Sequence, residues 1–394
     1  MRRVVLILLS LAVAVPAFAD RLTLVCLDVG RAVDACREVA DAFSAETEHQ
    51  VRVVTADPSG REALAQYVNL FSVGSPRLDV VQFPATWLPA IASDLEDLGP
   101  PDDPERFVPA TLEGGTWRSR MVGWPQHLAI NVLYVRADLM NDLPARWLAL
   151  REGLLSIGDD KPSGLAFGGG DPVLFPFVLD WLHSFGTKEL DNVSALRFAL
   201  QAMNEAVGTV TSSGVAATTT KQAVNAFSEG RAAALIAPST VNGIAISGAE
   251  EAMVAATTLP TEVEEGVEVQ TLASVWYVGI SAASSNKESA RALAKALVAT
   301  EAQRKAALEF GLAPTLTDLY DDGDVLAASP VFDLVAARLA QLVGVPVKQF
   351  RTDYLDVADT VSEAVRAMLR GEANEDVTAS LIARAVRRNA LDGS

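Results

Sequence analysis

Short apolar segments alternate with amphipathic segments at the start of this chain, and this alternation limits its fold more than any other feature. Apolar runs at 22–26, 51–55 and 78–83 predict three buried strands, and apolar residues at helical spacing predict helices near 31–46 and 60–73. A helix between two consecutive strands returns the chain, so the strands run parallel. We therefore predict an α/β fold with helices on both faces of a parallel sheet.

The rest of the chain continues this alternation without an internal repeat or a low-complexity linker. Further strands are predicted at 131–135, 231–237 and 276–281, and further helices near 171–186, 191–207, 285–299, 354–370 and 375–390. Ser285-x-x-Glu288 predicts a capping box at the start of one helix, and Gly371 separates the last two. At 394 residues the chain is long enough for two domains, which we expect to be joined by several crossings.

The first nineteen residues have the pattern of an export signal. Arg2 and Arg3 precede an apolar run at 4–15, and Ala17-Phe18-Ala19 forms a small-x-small cleavage site. The apolar run is too short to span a bilayer as a stable helix, and no later run of eighteen apolar residues follows. We expect cleavage before Asp20 and a soluble periplasmic protein.

Charge and composition exclude several classes of function. The chain has 50 acidic and 32 basic residues, a formal net charge of −18 that repels nucleic-acid phosphates and anionic lipid head groups. Three scattered histidines (His49, His127 and His183) and two cysteines provide no recognisable metal-ligand set, so we expect neither a metal nor another cofactor.

Catalytic motifs are weak. Ser284-x-x-Lys287 fits a serine–lysine nucleophile pattern, but such tetrapeptides are common and this one overlaps the predicted capping box. No nucleophile elbow, P-loop or dinucleotide fingerprint is present, and no motif favours the paired carboxylates of a glycosidase. We expect that the protein is not an enzyme.

The two cysteines, Cys26 and Cys36, are interpreted in the light of export. An oxidising compartment favours a disulfide, and Cys26 would end the first strand while Cys36 would lie on the buried face of the first helix. Closing so short a loop would stabilise the fold by roughly 2–3 kcal/mol. Two separate buried thiols are the alternative.

Several segments, in order and at characteristic spacing, resemble one known family. They are Asp79-Val80-Val81-Gln82-Phe83 followed by Trp87, Trp124-Pro125 followed by Leu133 to Leu139, Phe227 to Ala233, Trp276 to Ser281 followed by Ser285-Asn286-Lys287-Glu288, and Gly311 with Pro314-Thr315. Over essentially its whole mature length the chain resembles an extracellular solute-binding protein of an ABC importer, in the maltose- and trehalose-binding group. The cysteine pair resembles one found at similar spacing in the trehalose/maltose branch.

The resemblance implies the periplasmic-binding-protein fold, with two α/β lobes and a ligand cleft and hinge between them. After a signal peptide at 1–19, it implies an N-terminal lobe of 20–127 plus 278–322 and a C-terminal lobe of 128–277 plus 323–394. It implies a monomer that captures a small polar solute, a disaccharide-like sugar or a polyol, and delivers it to the permease subunits of an ABC importer.

Four positions that face ligand in the family pattern depart from it here. The usual acid after Trp124-Pro125 becomes Ala129, and the aromatic-acid-glycine triplet becomes Asp171-Pro172-Val173. The Asn-Trp-Pro segment after the strand at 231–237 becomes Ala237-Pro238-Ser239, and the glycine pair before Trp276 becomes Ser274-Val275. The departures support a second hypothesis, a non-transport receptor or interaction protein with altered or lost sugar binding. A hydrolase is the most distant possibility.

Three aromatic residues are candidates for stacking on a sugar ring. Trp276 matches a cleft position of the family, and Trp87 follows the strand at 78–83 at its carboxyl end, where ligands gather in open α/β sheets. Tyr354 opens the penultimate helix, where the family often places an aromatic residue. Packing in the core is the alternative for each.

The polar candidates would bind ligand hydroxyl groups. They are Gln126 and His127 in the first crossing, Asp57, Ser59 and Arg61 in the turn after the second strand, and Asp171 as a substitute for the lost family acid. A hinge or surface role is the alternative for Gln126 and His127.

Overall fold

The computed structural model describes residues 20–57, 60–72, 78–140, 142–157, 164–172, 174–241, 254–264, 266–350 and 354–389. Its strands are β1 (Arg21–Leu27), β2 (Gln50–Ala56), β3 (Val80–Pro84), β4 (Thr116–Trp117), β5 (Arg120–Met121), β6 (Trp124–Ala129), β7 (Asn131–Arg136), β8 (Leu165–Ala166), β9 (Ala234–Pro238), β10 (Val254–Thr258), β11 (Thr271–Ile280), β12 (Ala313–Pro314) and β13 (Leu342–Gly344). The predicted signal peptide lies outside the described residues.

The α-helices cover the sheets and run between these strands. They are α1 (Ala32–Glu46), α2 (Gly60–Ser72), α3 (Leu88–Ile91), α4 (Pro109–Gly114), α5 (Trp147–Leu155), α6 (Phe175–Ser184), α7 (Val193–Ala206), α8 (Thr220–Ser228), α9 (Lys287–Val298), α10 (Thr300–Phe310), α11 (Gly323–Ala328), α12 (Pro330–Ala336), α13 (Tyr354–Leu369) and α14 (Glu375–Asn389). None of the described helices is long and apolar enough to cross a membrane.

The first sheet has the order β12-β6-β11-β3-β1-β2, with β13 beside β11. β1 runs parallel to β2 and β3, as the alternation of strands and helices predicts. The prediction of a parallel sheet is wrong for β11, which runs antiparallel to both β3 and β6. β11 enters this sheet after strands of the second sheet and needs no crossover helix, so the parallel rule does not apply to it.

The second sheet has the order β10-β7-β9-β8 and is antiparallel except between β8 and β9. The chain passes from the first sheet to the second between β6 and β7, where the single residue Ile130 separates the two strands. We call the part built on the first sheet the first lobe and the part built on the second sheet the second lobe. The lobe boundaries inferred from the family resemblance stay a prediction.

Two local predictions differ from the structure. The strand expected at 231–237 covers Ala234–Pro238, because the amides of Arg231 and Ala232 still bond the Ala226 carbonyl at the end of α8. The capping box at Ser285 and Glu288 is wrong. Helix α9 begins after Asn286, which makes no side-chain cap, whereas a capping box forms at Thr219 and Gln222 before α8.

The disulfide is confirmed. Cys26 of β1 and Cys36 of α1 are bonded across a Cα separation of 6.6 Å, and both are fully buried. They lie in an apolar cluster with Leu24, Phe43 and Trp124. The disulfide closes the loop that leads from β1 into α1.

We expect the double variant Cys26→Ala, Cys36→Ala to lose about 2–3 kcal/mol of unfolding free energy, because the unfolded chain regains the freedom that the closed loop removes. Denaturant unfolding of variant and wild type, the latter with and without reductant, measures this. Alkylation of two cysteines in folded, unreduced wild-type protein would contradict the disulfide.

Candidate ligand-binding cleft

A cavity of about 860 Å³ lies between the two lobes and is lined by residues of both. Its volume falls within the range of about 300–1,000 Å³ that is usual for small-molecule sites. The first lobe contributes residues at the carboxyl ends of its parallel strands, among them Asp28 after β1, Asp57 after β2 and Pro84 of β3. This is the edge at which open α/β sheets bind ligands.

Trp276 lines the cavity, and a second ring packs against its indole behind the cleft wall. The indole is only partly buried, and the imidazole of the buried His127 lies against it at 4.9 Å between ring centroids and 10° between planes. Burial lowers the pKa of His127 to about 3, so this imidazole is neutral and packs as a flat ring. The pair presents a rigid aromatic surface to the cleft.

A β-bulge produces this arrangement. Trp276 is paired with His127 and Tyr277 with Pro125, so Gln126 is the extra residue of β6. The Gln126 side chain accepts a hydrogen bond from Gln82 at 2.6 Å, and Gln82 accepts one from the Leu27 amide at 2.7 Å. The structure thus places Gln126 and His127 behind the cleft wall, where neither lines the cavity.

Trp87 and Tyr354 also line the cavity, but little of either side chain is accessible. Trp87 is 3% exposed and packs edge-on against Tyr67 at 4.9 Å. Tyr354 is 1% exposed and lies between Phe175 and Phe350, and its hydroxyl has no partner among the described residues. Their burial gives the core-packing alternative more weight for these two residues than for Trp276.

The polar candidates differ in what they already contact. Asp57, Arg61 and Asp171 line the cavity, whereas Ser59 lies outside the described residues. Arg61 is paired with two aspartates of α13, Asp356 and Asp359.

The Asp171 side chain is hydrogen bonded to the first residue of α8. Its carboxylate accepts bonds from the amide of Thr220, at 2.9 Å, and from the hydroxyl of the same residue. Burial raises the pKa of Asp171, while these bonds and the Arg366 charge oppose the rise. Asp171 therefore holds the rim of the cleft as well as facing it.

Two charged residues of the cleft are absent from the sequence-based candidates. Asp28 and Lys221 are exposed, and within the described part of the chain their side chains make no hydrogen bond or ion pair. Asp28 directly follows β1, so the strand-end rule that the sequence analysis applies to Trp87 would have found it. Lys221 lies in the first turn of α8, where no local pattern distinguishes it from a surface lysine.

The four departures from the family pattern all line the cavity. They are Ala129, Asp171, Pro238 and Val275. Three of them carry no polar side-chain atom, so these positions supply apolar contact, and the polar residues nearest to them in the lining are Ser274 and Asn131.

The buried carboxylate of Asp180 contacts both β7 and β11, the strands at which the chain passes between the lobes. Asp180 of α6 accepts a hydrogen bond from the Leu272 amide at 3.2 Å, at the start of β11, and is close to the side chain of Asn131 at the start of β7. Burial raises the pKa of Asp180 to about 7, and these two groups only partly oppose the rise. Asp180 therefore changes charge near neutral pH at the point where the chain crosses between lobes.

The described residues contain no group of three or more His, Cys, Asp or Glu side chains placed to hold a metal ion. The cleft offers a flat aromatic surface, apolar walls and polar side chains at the rim. This arrangement suits reversible binding of a small polar solute with one apolar face.

The chain belongs to the bacterial extracellular solute-binding proteins, whose family model matches residues 32–304. A curated relative, a probable ABC transporter-binding protein of Deinococcus radiodurans, is 27% identical over 390 residues, and the match covers 91% of each chain. These findings confirm the resemblance deduced from the sequence motifs.

Two solved structures show the same fold. Maltose-bound MalE3 of T. maritima is 23% identical with a TM-score of 0.83, over 94% of this chain and 100% of that one. A solute-binding protein from Agrobacterium radiobacter K84 in complex with ribitol is 19% identical with a TM-score of 0.76, over 94% and 98%. Family and fold are those of ABC-transporter binding proteins and not of enzymes, so the chain is a solute-binding receptor of an ABC transporter.

If Trp276 stacks on the ligand, Trp276→Ala should weaken binding by about 1–3 kcal/mol, roughly ten- to a hundredfold, because the ring buries apolar area on the bound solute. Trp276→Phe should lose less, since a smaller ring remains.

Trp147→Phe, a change at a buried tryptophan outside the cleft, is the matched control and should leave affinity unchanged. Titration calorimetry gives affinity and a melting curve gives stability. Unchanged affinity in Trp276→Ala would remove this residue from the site.

Asp180 should make stability depend on pH. Its folded pKa of about 7 lies above its usual value near 4, so the folded state holds a proton that the unfolded state has released. The unfolding free energy should therefore fall as pH rises from about 4 to 7. The decrease should be a few kcal/mol, because each unit of pKa shift corresponds to about 1.4 kcal/mol.

The variant Asp180→Asn tests this pH dependence. It should gain stability relative to wild type as pH rises through that range, measured by denaturant unfolding at several pH values. Asp333→Asn, at an exposed position, controls for the loss of one carboxylate. A difference between Asp180→Asn and wild type that does not change with pH would contradict the assignment.

Proposed function

We propose that this receptor captures a neutral sugar, disaccharide-like in size, or a polyol in the periplasm and delivers it to the permease of an ABC importer. The observation that carries the proposal is the partly exposed Trp276 ring, stacked on His127 and lining a cavity of about 860 Å³ between the lobes. The bound maltose and ribitol of the two structural relatives support it by analogy.

Two kinds of contact would hold such a solute. The apolar face of a sugar ring or polyol chain would lie on Trp276, and hydroxyl groups would bond Asp28 from the first lobe and Lys221 from the second. The exposed Asp28 carboxylate can accept a hydrogen bond from a hydroxyl group, and the exposed Lys221 ammonium group can donate one. Because the two groups carry opposite charges, the mixed charge of the rim disfavours a simple anion or cation. A zwitterion would match it as well as a neutral polar solute, so a ligand screen has to include amino acids.

The second candidate is an interaction protein that keeps the fold without transporting a sugar. The replacements Ala129, Pro238 and Val275 favour it, because all three line the cavity and none keeps the family residue: Ala129 removes an acid, Pro238 changes an aromatic turn, and Val275 adds bulk where the family has glycine. A hydrogen bond to a charged group is worth about 1.5–3 kcal/mol, so a few lost contacts would change the preferred ligand.

A thermal-shift screen of sugars, polyols and amino acids separates the two candidates. A solute at a thousandfold excess over its dissociation constant adds roughly 4 kcal/mol to the unfolding free energy and raises the melting temperature by several degrees. Asp28→Asn and Lys221→Gln should each weaken the affinity for the active solute about tenfold, with little change in the melting temperature of the free protein. At the same solute concentration this lowers the stabilisation by about 1.4 kcal/mol. A shift with amino acids alone would reject a sugar or polyol as the ligand, and no shift with any solute would reject the proposal and favour the interaction protein.

A further inference from the structure

We propose that Arg61 is a latch between the two lobes: it pairs with Asp356 and Asp359 across the mouth of the cleft and stabilises the closed receptor without touching the ligand. The expected effect on affinity rests on the function proposed above, whereas the latch itself can be tested without a ligand. This role replaces the direct ligand contact that the sequence analysis predicts for Arg61.

The geometry is that of a two-pronged ion pair. The Arg61 Nε donates to Asp359 and its Nη2 donates to Asp356. The two carboxylates are three residues apart, so they lie on the same side of α13. A guanidinium group suits this task because it offers several donors in a fixed plane.

The two ends of the latch are anchored in different lobes. Arg61 lies in the first turn of α2, which is fixed to the first lobe through the buried Tyr67, whose hydroxyl donates to the Gln82 carbonyl of β3 at 2.8 Å. Helix α13 is fixed to the second lobe, where Arg366 donates to the Asp171 carbonyl at 2.6 Å. The pair therefore forms only when the lobes are together.

A second contact, at Gly30 and Thr240, shows independently that the lobes touch. Gly30 has a φ of 53°, and a Cβ atom there would lie 2.6 Å from the Thr240 carbonyl oxygen. Val29 and Thr240 at this contact, and Arg61 and Asp359 of the latch, line the same cavity. The cleft is therefore bordered by a steric contact and by an ionic one.

The latch is exposed, and this determines how it can act. The side chains of Arg61, Asp356 and Asp359 are 51%, 65% and 50% exposed, so water and salt weaken their attraction. Two such pairs should favour the closed state by about two- to tenfold in total. Because this factor multiplies the closed population alone, it should change the affinity for every ligand equally.

The test counts closed and open receptors by single-molecule energy transfer between dyes on Asp41→Cys in α1 and Arg384→Cys in α14, two exposed positions on different lobes. In dilute salt and without solute, Arg61→Ala and the pair Asp356→Asn, Asp359→Asn should each lower the closed-to-open ratio about two- to tenfold. The difference from the parent should shrink in about 1 M NaCl, where the screening length is about 3 Å and comparable to the separation of the paired charges.

Two control variants separate a latch from other causes. Arg197→Ala removes an equally exposed ion pair to Asp376 between α7 and α14, and it should leave the ratio unchanged. Gly30→Ala should lower the ratio at every salt concentration, because its effect is steric. An unchanged ratio in Arg61→Ala, or a loss that persists undiminished in 1 M NaCl, would overturn the latch.

Adding maltose or ribitol tests the two proposals separately. If either solute raises the closed fraction, Arg61→Ala should reduce the apparent affinity for each by one common factor, and unequal factors would show that Arg61 contacts the ligand and would overturn the latch. If neither these nor any other sugar or polyol closes the receptor while Arg61→Ala still shifts the ratio, the latch stands and the proposed function fails.

Discussion

Strand β11 is the constraint on which the rest of this receptor depends. It is hydrogen bonded to β3 on one edge and to β6 on the other, and its first residues also pair with β13. The bulge of β6 lies opposite Trp276, whose indole lines the cleft, and the next residue of β11, Tyr277, is buried and donates to the Thr111 carbonyl at 2.7 Å. Because both edges of the strand are held, the aromatic wall is rigid and belongs to the first lobe. Closure of the cleft therefore brings the second lobe toward this wall.

Much of the fold follows from local patterns in the sequence, and the failures occur where distant residues intervene. The strand predicted at 22–26 is Arg21–Leu27 and the helix predicted at 31–46 is Ala32–Glu46, because apolar spacing alone defines them. The capping box predicted at Ser285 fails because helix α9 begins one residue later than expected, and the side chain of its N-cap residue, Asn286, bonds the buried Asp79 instead of capping the helix. The Asp79 carboxylate accepts bonds from the Thr23 amide, the Ser284 hydroxyl and the Asn286 side chain, contacts that span up to 207 residues.

The candidate site shows the same contrast between features that local sequence patterns predict and features that depend on distant residues. Asp57 and Arg61 are predicted from their position in the turn after the second strand, and Trp276 from the family motifs, and all three line the cavity. No local rule could pair Arg61 with aspartates 295 and 298 residues away. Gln126 and His127 lie behind the wall because a bulge breaks the alternation of side chains that a regular strand would have. A bulge depends on the partner strand, which the sequence of β6 alone does not contain.

The distribution of polar groups has a consequence for how affinity arises. With Ala129, Pro238 and Val275 beside Trp276, the walls supply mainly apolar contact, and the charged side chains Asp28 and Lys221 come from opposite lobes. A solute resting on the first lobe alone would gain stacking and one set of polar contacts, and would complete the second set only on closure. Since the ion pairs of Arg61 are exposed and individually weak, they cannot hold the cleft closed by themselves. Most of the free energy of closure must then come from the ligand, which is the condition under which a closed receptor signals that it is loaded.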